Sequence, residues 1–214
     1  MGSTASSVLL APAAAALALI AWTIAGLALV RGAERRVLRR VPPKPWRAAA
    51  FALGAAVCAV VFRATPVGAV ACGATCIALI VAGEADARTG YLFDAITFPT
   101  ALLVTAIAVA GGTTLDAACG VCVLVGSFGA LVVCSRGRLM GLGDVKAMFA
   151  IGAAFGPLES IVAIFAACVS GIVWTAFAGR LRCGAQVHFG PHLAAGSAFA
   201  LVGGDFVVHR MLGL

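Results

Sequence analysis

Residues 115–134, LDAACGVCVLVGSFGALVVC, hold one charged side chain, that of Asp116, and are otherwise almost entirely apolar. In an α-helix, about 20 apolar residues cross the hydrocarbon core of a bilayer, which is roughly 30 Å thick. Backbone amides in lipid must be hydrogen-bonded within their own element, and this segment lacks the alternation typical of barrel strands. The segment therefore predicts a transmembrane helix.

Comparable apolar segments recur along nearly the whole chain of 214 residues. Of these residues, 63% are hydrophobic and 11% are charged, whereas about a quarter are charged in an ordinary soluble domain. Because a soluble fold could not bury so much apolar surface, the composition predicts an all-α, polytopic transmembrane helical bundle, a single membrane domain over residues 1–214. Division at charged and Gly/Pro-rich breaks predicts eight helices, at 9–30, 48–62, 65–83, 94–111, 115–134, 147–158, 161–178 and 192–208.

The basic residues are distributed unevenly over the predicted loops. The segment 31–47, RGAERRVLRRVPPKPWR, holds seven of the fifteen lysines and arginines, and six more fall in loops on the same side. Only Arg63 and Arg210 fall on the opposite side. Since short loops rich in Lys and Arg stay in the cytoplasm, 31–47 is predicted to be a cytoplasmic loop, with both termini outside. The net charge of +7 is spread over these loops rather than gathered on a soluble surface, so we expect no nucleic-acid partner.

The eight cysteines could suggest disulfides or a zinc site, but six of them lie within apolar segments, where thiols behave as small hydrophobic side chains. The one C-x-x-C pair, Cys119 and Cys122, has no second pair or histidine at zinc-finger spacing. Cys134 and Cys183 lie near loops and are candidate free thiols. We therefore expect no structural metal and no cofactor.

The chain has eight carboxylate side chains, few enough to consider one by one. Four are explained as loop or helix-end groups: Glu34, Asp116, Glu159 and Asp205. The other four fall together on the predicted cytoplasmic face: Glu84, Asp86, Asp94 and Asp144. For Glu84 the simpler interpretation is an interfacial acid beside the headgroups, with a supporting position near the site as the alternative.

Asp86 and Asp144 are each predicted at a helix end, and the two intervening helices can bring them together. Two adjacent carboxylates do not both ionise readily, so one keeps its proton while the other is charged. This suits an aspartic peptidase: the charged group takes a proton from the attacking water, and the protonated one polarises the carbonyl or protonates the leaving amine. In GLGDVK, Gly141 and Gly143 allow the backbone to turn sharply beside Asp144. Taken alone, that segment fits equally well a capping aspartate beside Lys146.

Three segments in order along the chain resemble the type IV prepilin peptidases and their wider G-x-G-D relatives, which include preflagellin peptidases and presenilins. EADARTGYLFDAITFP, residues 84–99, is similar to the family's D-x-R-x-x-x-I-P-[ND]-x-[LIV]-T segment. GLGDVKAMFAIGAAFG, residues 141–156, is similar to its G-x-G-D-[VI]-K-L block. HFGPHLAAGSAFAL, residues 188–201, resembles the F-G-P opening of its last helix.

The resemblance covers about residues 65–208 and implies that this part is a peptidase core. It maps the two catalytic aspartates onto Asp86 and Asp144. The residues that it implies shape the site are Gly141, Gly143, Lys146 and Asp94. Lys146 could also tune the charge of the aspartate pair, although a simple interfacial lysine fits as well.

The activity that the resemblance implies is removal of the leader peptide from type IV prepilin or pseudopilin precursors. Cleavage would occur at the cytoplasmic face of a bacterial-type inner membrane and would serve a pilus or a type II secretion system. The implied partners are the precursor and the lipid bilayer. Recognition would rest mainly on the precursor's apolar helix, because basic loops do not attract a basic leader.

Two features depart from the family pattern. Phe93 stands where the family has proline before Asp94, which removes local rigidity. Larger members carry a cytoplasmic domain with two C-x-x-C pairs between their first two helices, but the loop 31–47 contains no cysteine. Because that region is associated with methylation of the new N-terminus in bifunctional members, its absence argues against zinc and against N-methyltransferase activity here.

Two other functions remain as alternatives. A small ion-coupled membrane transporter would place its relay acids near the bilayer midplane, whereas these acids cluster at one face, and the chain lacks matching broken helices in two halves. A catalytically silent pilus or secretion assembly factor would keep the fold without the activity. The presence of both aspartates argues against that second alternative.

Overall fold

The computed structural model describes residues 17, 19–21, 24–25, 28, 45–62, 65–178 and 188–213. Nearly all of these residues are helical, and no strand occurs among them, which confirms the predicted all-α fold. The described residues between 17 and 28 are helical and fall within the predicted first span. The helices with defined ends are α1 (Pro45–Phe62), α2 (Pro66–Thr89), α3 (Asp94–Ala110), α4 (Thr114–Ser135), α5 (Leu142–Phe177) and α6 (Gly190–Leu212).

Within the described ranges, four helices are long and apolar enough to cross a membrane: α2, α4, α5 and α6. The apolar part of α1 and the whole of α3 are shorter. Large apolar side chains on the outer surfaces of the bundle, such as Leu115, Phe165 and Phe206, are exposed. This is the pattern expected of a multi-pass protein whose surroundings are lipid.

The helix boundaries agree with the sequence prediction to within a few residues, with three differences. α2 extends to Thr89 rather than ending near residue 83, so Asp86 lies in the last helical turn. The last three residues of the predicted loop 31–47 begin α1 instead, while residues 31–44 lie outside the described part of the chain. The predicted sixth and seventh spans, 147–158 and 161–178, follow one another directly in α5 and are separated by a backbone break at Gly156 rather than by a loop.

α5 is broken at Gly156, which has φ 68° and ψ −175° and is followed by Pro157. Glycine tolerates this left-handed backbone because it lacks a Cβ, and proline is well suited to the first position of the helix that follows. The break separates a first arm, residues 142–155, from a second arm, residues 157–177.

The two arms run in opposite directions. In the first arm, Asp144 lies near Asp86, at the C-terminal end of α2, and the Ala154 carbonyl accepts a bond from Cys72 Sγ at 3.3 Å, nearer the other end of α2. The second arm runs back towards the end of the bundle that holds Asp144. Its first turn lies beside the later part of α6, where Glu159 is close to Gly204, and its later part lies beside the start of α6, where Gly171 is close to His192. The chain therefore reverses at Gly156, as expected if 147–158 and 161–178 cross the membrane separately.

α2 occupies the centre of the bundle and packs against α1, α3, α5 and α6. Every residue from 71 to 79 is buried. Around it the helices approach closely through small residues: a Cβ on Gly120 of α4 would collide with the Gly152 carbonyl oxygen of the first arm. Such close approach is how helices pack in lipid, where burial of apolar surface gives little driving force.

Candidate active site

Asp86 is held at the C-terminal end of α2 by contacts from two directions. Its side chain is buried, with 6% of the residue's surface exposed, and its Oδ2 accepts a hydrogen bond from the Gly190 backbone N–H at 3.0 Å. Its own carbonyl accepts from the N–H of Gly90, which caps the helix in the left-handed conformation at φ 71°. Carboxylate and backbone at this position are therefore both fixed.

The bond from Gly190 depends on a close approach of α6 to α2. A Cβ at Gly190 would lie 2.8 Å from Asp86 Oδ2, and a Cβ at Gly83 would lie 2.9 Å from the Gly190 carbonyl oxygen. Two glycines thus face each other where the helices meet. Because the first N–H groups of a helix have no partner within the helix, the amide at the start of α6 is free to bind a carboxylate.

Asp144 lies in the first turn of α5, at the same end of the bundle. It is partly buried, close to the backbone of Gly141, which is the N-cap residue with an extended backbone (φ −81°, ψ 154°). The Asp86 carboxylate is near enough to interact electrostatically with Asp144. The structure therefore brings together the two aspartates that the sequence analysis paired, although they lie 58 residues apart in the chain.

The other acids at this end have their own partners. Lys146 Nζ donates to both Asp94 carboxylate oxygens at 2.8 Å, joining α5 to the first residue of α3. Glu84 is ion-paired with Arg88 one turn later on α2.

A small apolar cavity lies one turn from Asp144, between α2, α3 and the first arm of α5, and all the residues that line it are buried. Two of them are threonines, but their hydroxyls donate to backbone carbonyls of their own helix: Thr97 to Phe93 at 3.5 Å and Thr100 to Ile96 at 2.6 Å. The cavity consequently has an apolar character. Its lining residues are Ala78, Leu79, Ile96, Thr97, Thr100, Ala147 and Ala150.

Two features of this end were not predicted from the sequence. One is the amide of Gly190, although HFGPH carries a signal for it, since a proline in the first turn marks a helix start. The other is the contact between His192 Nδ1 and Ser170 Oγ, 3.0 Å apart, which joins α6 to the second arm of α5. Nothing in the spacing of His192 and Ser170 indicates their pairing.

The arrangement offers two carboxylates, one buried and one partly buried, at the same end of the bundle. Among the described residues, no three His, Cys, Asp or Glu side chains form a group able to hold a metal ion. The carboxylates themselves can give and take protons at one end of a helical bundle.

Comparison with known proteins gives independent information on the segment that holds the two aspartates. Residues 73–176 match the model of the type IV leader peptidase family, a stretch that contains both Asp86 and Asp144. No curated protein and no solved structure matches the chain significantly. The family match indicates peptidase activity on a protein substrate in a membrane. It confirms the resemblance drawn from the sequence motifs: residues 73–176 are similar to the type IV leader peptidase family.

Proposed function

We propose that this protein is an aspartic endopeptidase that removes the leader peptide from type IV prepilin-like precursors, with Asp86 and Asp144 as its catalytic residues. The observation that carries the proposal is that these two aspartates lie at one end of the bundle, close enough for their carboxylates to interact electrostatically. The family match supports the peptidase part, because its matched residues include both aspartates.

The proposed chemistry follows from the sharing of one proton. Two carboxylates in contact favour the state in which one is charged and the other is protonated. The charged group takes a proton from water as the water attacks the scissile carbonyl. The protonated group stabilises the developing oxyanion and then protonates the leaving amine. The pair still holds one proton, now on the carboxyl group that took it from water, and transfer of that proton between the two carboxyl groups restores the starting state.

The apolar outer surface near the aspartates supports a precursor whose cleavage point precedes a hydrophobic helix. Phe98 and Leu142, close in the chain to Asp94 and Asp144, are both exposed. An apolar segment lying against this surface would bring the peptide bond before it to the level of the aspartates. We place the leader on the cytoplasmic side of the inner membrane, in agreement with the basic residues of the loops at that end.

The test is leader removal from co-expressed prepilin-like precursors, read by mass spectrometry. Asp86→Asn and Asp144→Asn each keep nearly the same volume but cannot exchange a proton as a carboxyl group does, so each should abolish cleavage. The double mutant should be no worse than either single mutant, because the two residues act as a unit. Thermal stability in detergent should remain, since removing one charge relieves repulsion.

Asp205→Asn is the matched control, because Asp205 is exposed near the other end of α6. It should retain substantial cleavage. Appreciable turnover by Asp86→Asn or Asp144→Asn would contradict the catalytic assignment, and a wild-type protein that cleaves no precursor would favour a silent assembly factor. Lost activity together with collapsed stability would instead favour the capping interpretation of Asp144.

A further inference from the structure

The connection between α2 and α3, residues 90–93, follows the helix that carries Asp86 and ends at Asp94, which is bound to the helix that carries Asp144. At its start, the Gly90 N–H donates to the Asp86 carbonyl at 2.8 Å, and the Tyr91 N–H donates to Thr89 Oγ1 at 3.1 Å. At its end, Asp94 is bound by Lys146, two residues after Asp144. The connection is therefore fixed to the helix of one aspartate and to the helix of the other.

Leu92 lies in the middle of this connection, with its side chain partly buried against two apolar clusters of the core. Its Cδ1 lies 2.9 Å from the position that a Cβ would occupy on Gly190, and its Cβ lies 3.1 Å from the corresponding position on Gly143. Both glycines hold an aspartate: Gly190 through its N–H bond to Asp86, and Gly143 as the residue preceding Asp144. The Leu92 side chain thus touches both backbone segments that position the carboxylates.

We propose that Leu92 is a positioning residue that sets the separation of the Asp86 and Asp144 carboxylates. Because Gly143 and Gly190 have no side chains, the leucine packs directly against their backbones. Removing it leaves a space into which either segment can shift. A displacement of about 1 Å in an active site can cost about a hundredfold in rate, so a small movement here matters for catalysis. The expected effect on the cleavage rate rests on the proposed peptidase function. The expected effect on the separation of the two carboxylates does not.

The first experiment measures cleavage kinetics in four proteins: wild type, Leu92→Ala, Leu92→Met and Leu103→Ala. Leu103 is the matched control, since it is also a partly buried leucine packed against the main apolar cluster, but on α3 away from the aspartates. Leu92→Ala should lower kcat by about a hundredfold while KM for the precursor changes little. Leu92→Met keeps the volume and should retain most of kcat. Leu103→Ala should lose comparable thermal stability and keep kcat.

The second experiment measures the separation without requiring catalysis. The native cysteines are replaced, Asp86→Cys and Asp144→Cys are introduced, and the rate of disulfide formation under a mild oxidant is followed. The pair should cross-link readily with leucine at position 92, more slowly with Leu92→Ala, and at an unchanged rate with Leu103→Ala. Should Leu92→Ala fail to accumulate, Leu92→Val removes less volume and tests the same contact.

The outcomes separate this proposal from the proposed function. Unchanged cross-linking in Leu92→Ala, or a parent pair that does not cross-link, would overturn the positioning role whatever happens to cleavage. Equal loss of kcat in Leu92→Ala and Leu103→Ala would also overturn it, because the effect would then be general to the core. If Leu92→Ala slows cross-linking while the wild-type protein cleaves no precursor, the positioning role stands and the peptidase function is rejected.

Discussion

Lys146 Nζ lies 2.8 Å from both carboxylate oxygens of Asp94 and so joins the first turn of α5 to the first residue of α3. Both side chains remain accessible, at 48% for Lys146 and 65% for Asp94. The sequence suggested a lysine that tunes the charge of the aspartate pair. In the structure much of its charge is offset by Asp94, so we expect its influence on catalysis to act through the geometry of the connection.

Breaking this ion pair should therefore affect activity more than stability. Exposed pairs typically contribute about 0–1 kcal/mol, so Lys146→Met should lower the free energy of unfolding only slightly. The rate of precursor cleavage should fall by more than this small loss of stability explains, because Asp94, at the end of the connection between α2 and α3, is no longer held by Lys146. The exchanged double variant, Asp94→Lys with Lys146→Asp, should recover part of the loss. Cleavage in the exchanged variant as low as in Lys146→Met would show that the lysine itself is required.

The crossing of α4 with the first arm of α5 gives a test on two glycines of one helix. A Cβ on Gly120 would collide with the Gly152 carbonyl oxygen, whereas a Cβ on Gly126 would meet no atom within 4 Å. Overpacking of this kind costs about 1–3 kcal/mol, so Gly120→Ala should unfold at a clearly lower temperature in detergent. Gly126→Ala should be neutral or slightly stabilising, because alanine favours the helix by up to about 1 kcal/mol. Equal melting temperatures for the two variants would mean that the helices do not cross at Gly120.

Much of this architecture follows from the sequence, because its causes are local. Runs of apolar residues interrupted by charges fix where the helices lie, and the predicted span 94–111 differs from α3 by a single residue. The placement of Asp86 and Asp144 at one end follows from the direction of the helices that carry them. Their adjacency could also be predicted, since two antiparallel helices return the chain to the same end.

Contacts between distant segments could not be predicted in the same way. The Gly190 amide donates to Asp86, which lies 104 residues earlier in the chain. The two segments can approach this closely because Gly83 has no side chain, and nothing in the position of Gly83 in the sequence indicates that contact. Phe93 shows the same limit: it replaces a family proline, yet its φ of −77° is close to the angle that proline would impose. The local backbone is kept by the surrounding contacts rather than by the residue itself.

The break in α5 should be sensitive to any side chain at Gly156. Its φ of 68° with ψ of −175° belongs to a region adopted almost only by glycine, where other residues cost about 1–3 kcal/mol. A Cβ there would also lie 2.8 Å from Asp116 Oδ2. Gly156→Ala should therefore lower the melting temperature, and adding Asp116→Ala should restore only part of it, because the backbone strain remains. Gly203→Ala is the control, since its added Cβ would meet no atom within 4 Å. Full recovery in the double variant would show that the contact, not the backbone, is the cause.

Cleavage should not require a metal ion. The proposed reaction uses carboxyl groups alone, and the loop 31–47 lacks the cysteines that hold zinc in larger members of the family. Purified enzyme treated with a chelator and then freed of it should cleave precursor at the untreated rate. A loss of activity that zinc restores would contradict this expectation.

The side of the membrane on which the aspartates lie can be tested at the two ends of α4. Thr113 and Arg138 are both exposed and flank this helix, with Arg138 in the turn that leads to Asp144. Because short basic loops remain inside and leaders begin in the cytoplasm, we predict that Arg138 is cytoplasmic and Thr113 is outside. In a chain without native cysteines, an impermeant thiol reagent added to intact spheroplasts should label Thr113→Cys and spare Arg138→Cys. Both should react after permeabilisation, which controls for reactivity. Labelling of Arg138→Cys in intact spheroplasts would place the aspartates on the side that the leader does not reach, and the active-site assignment would then be wrong.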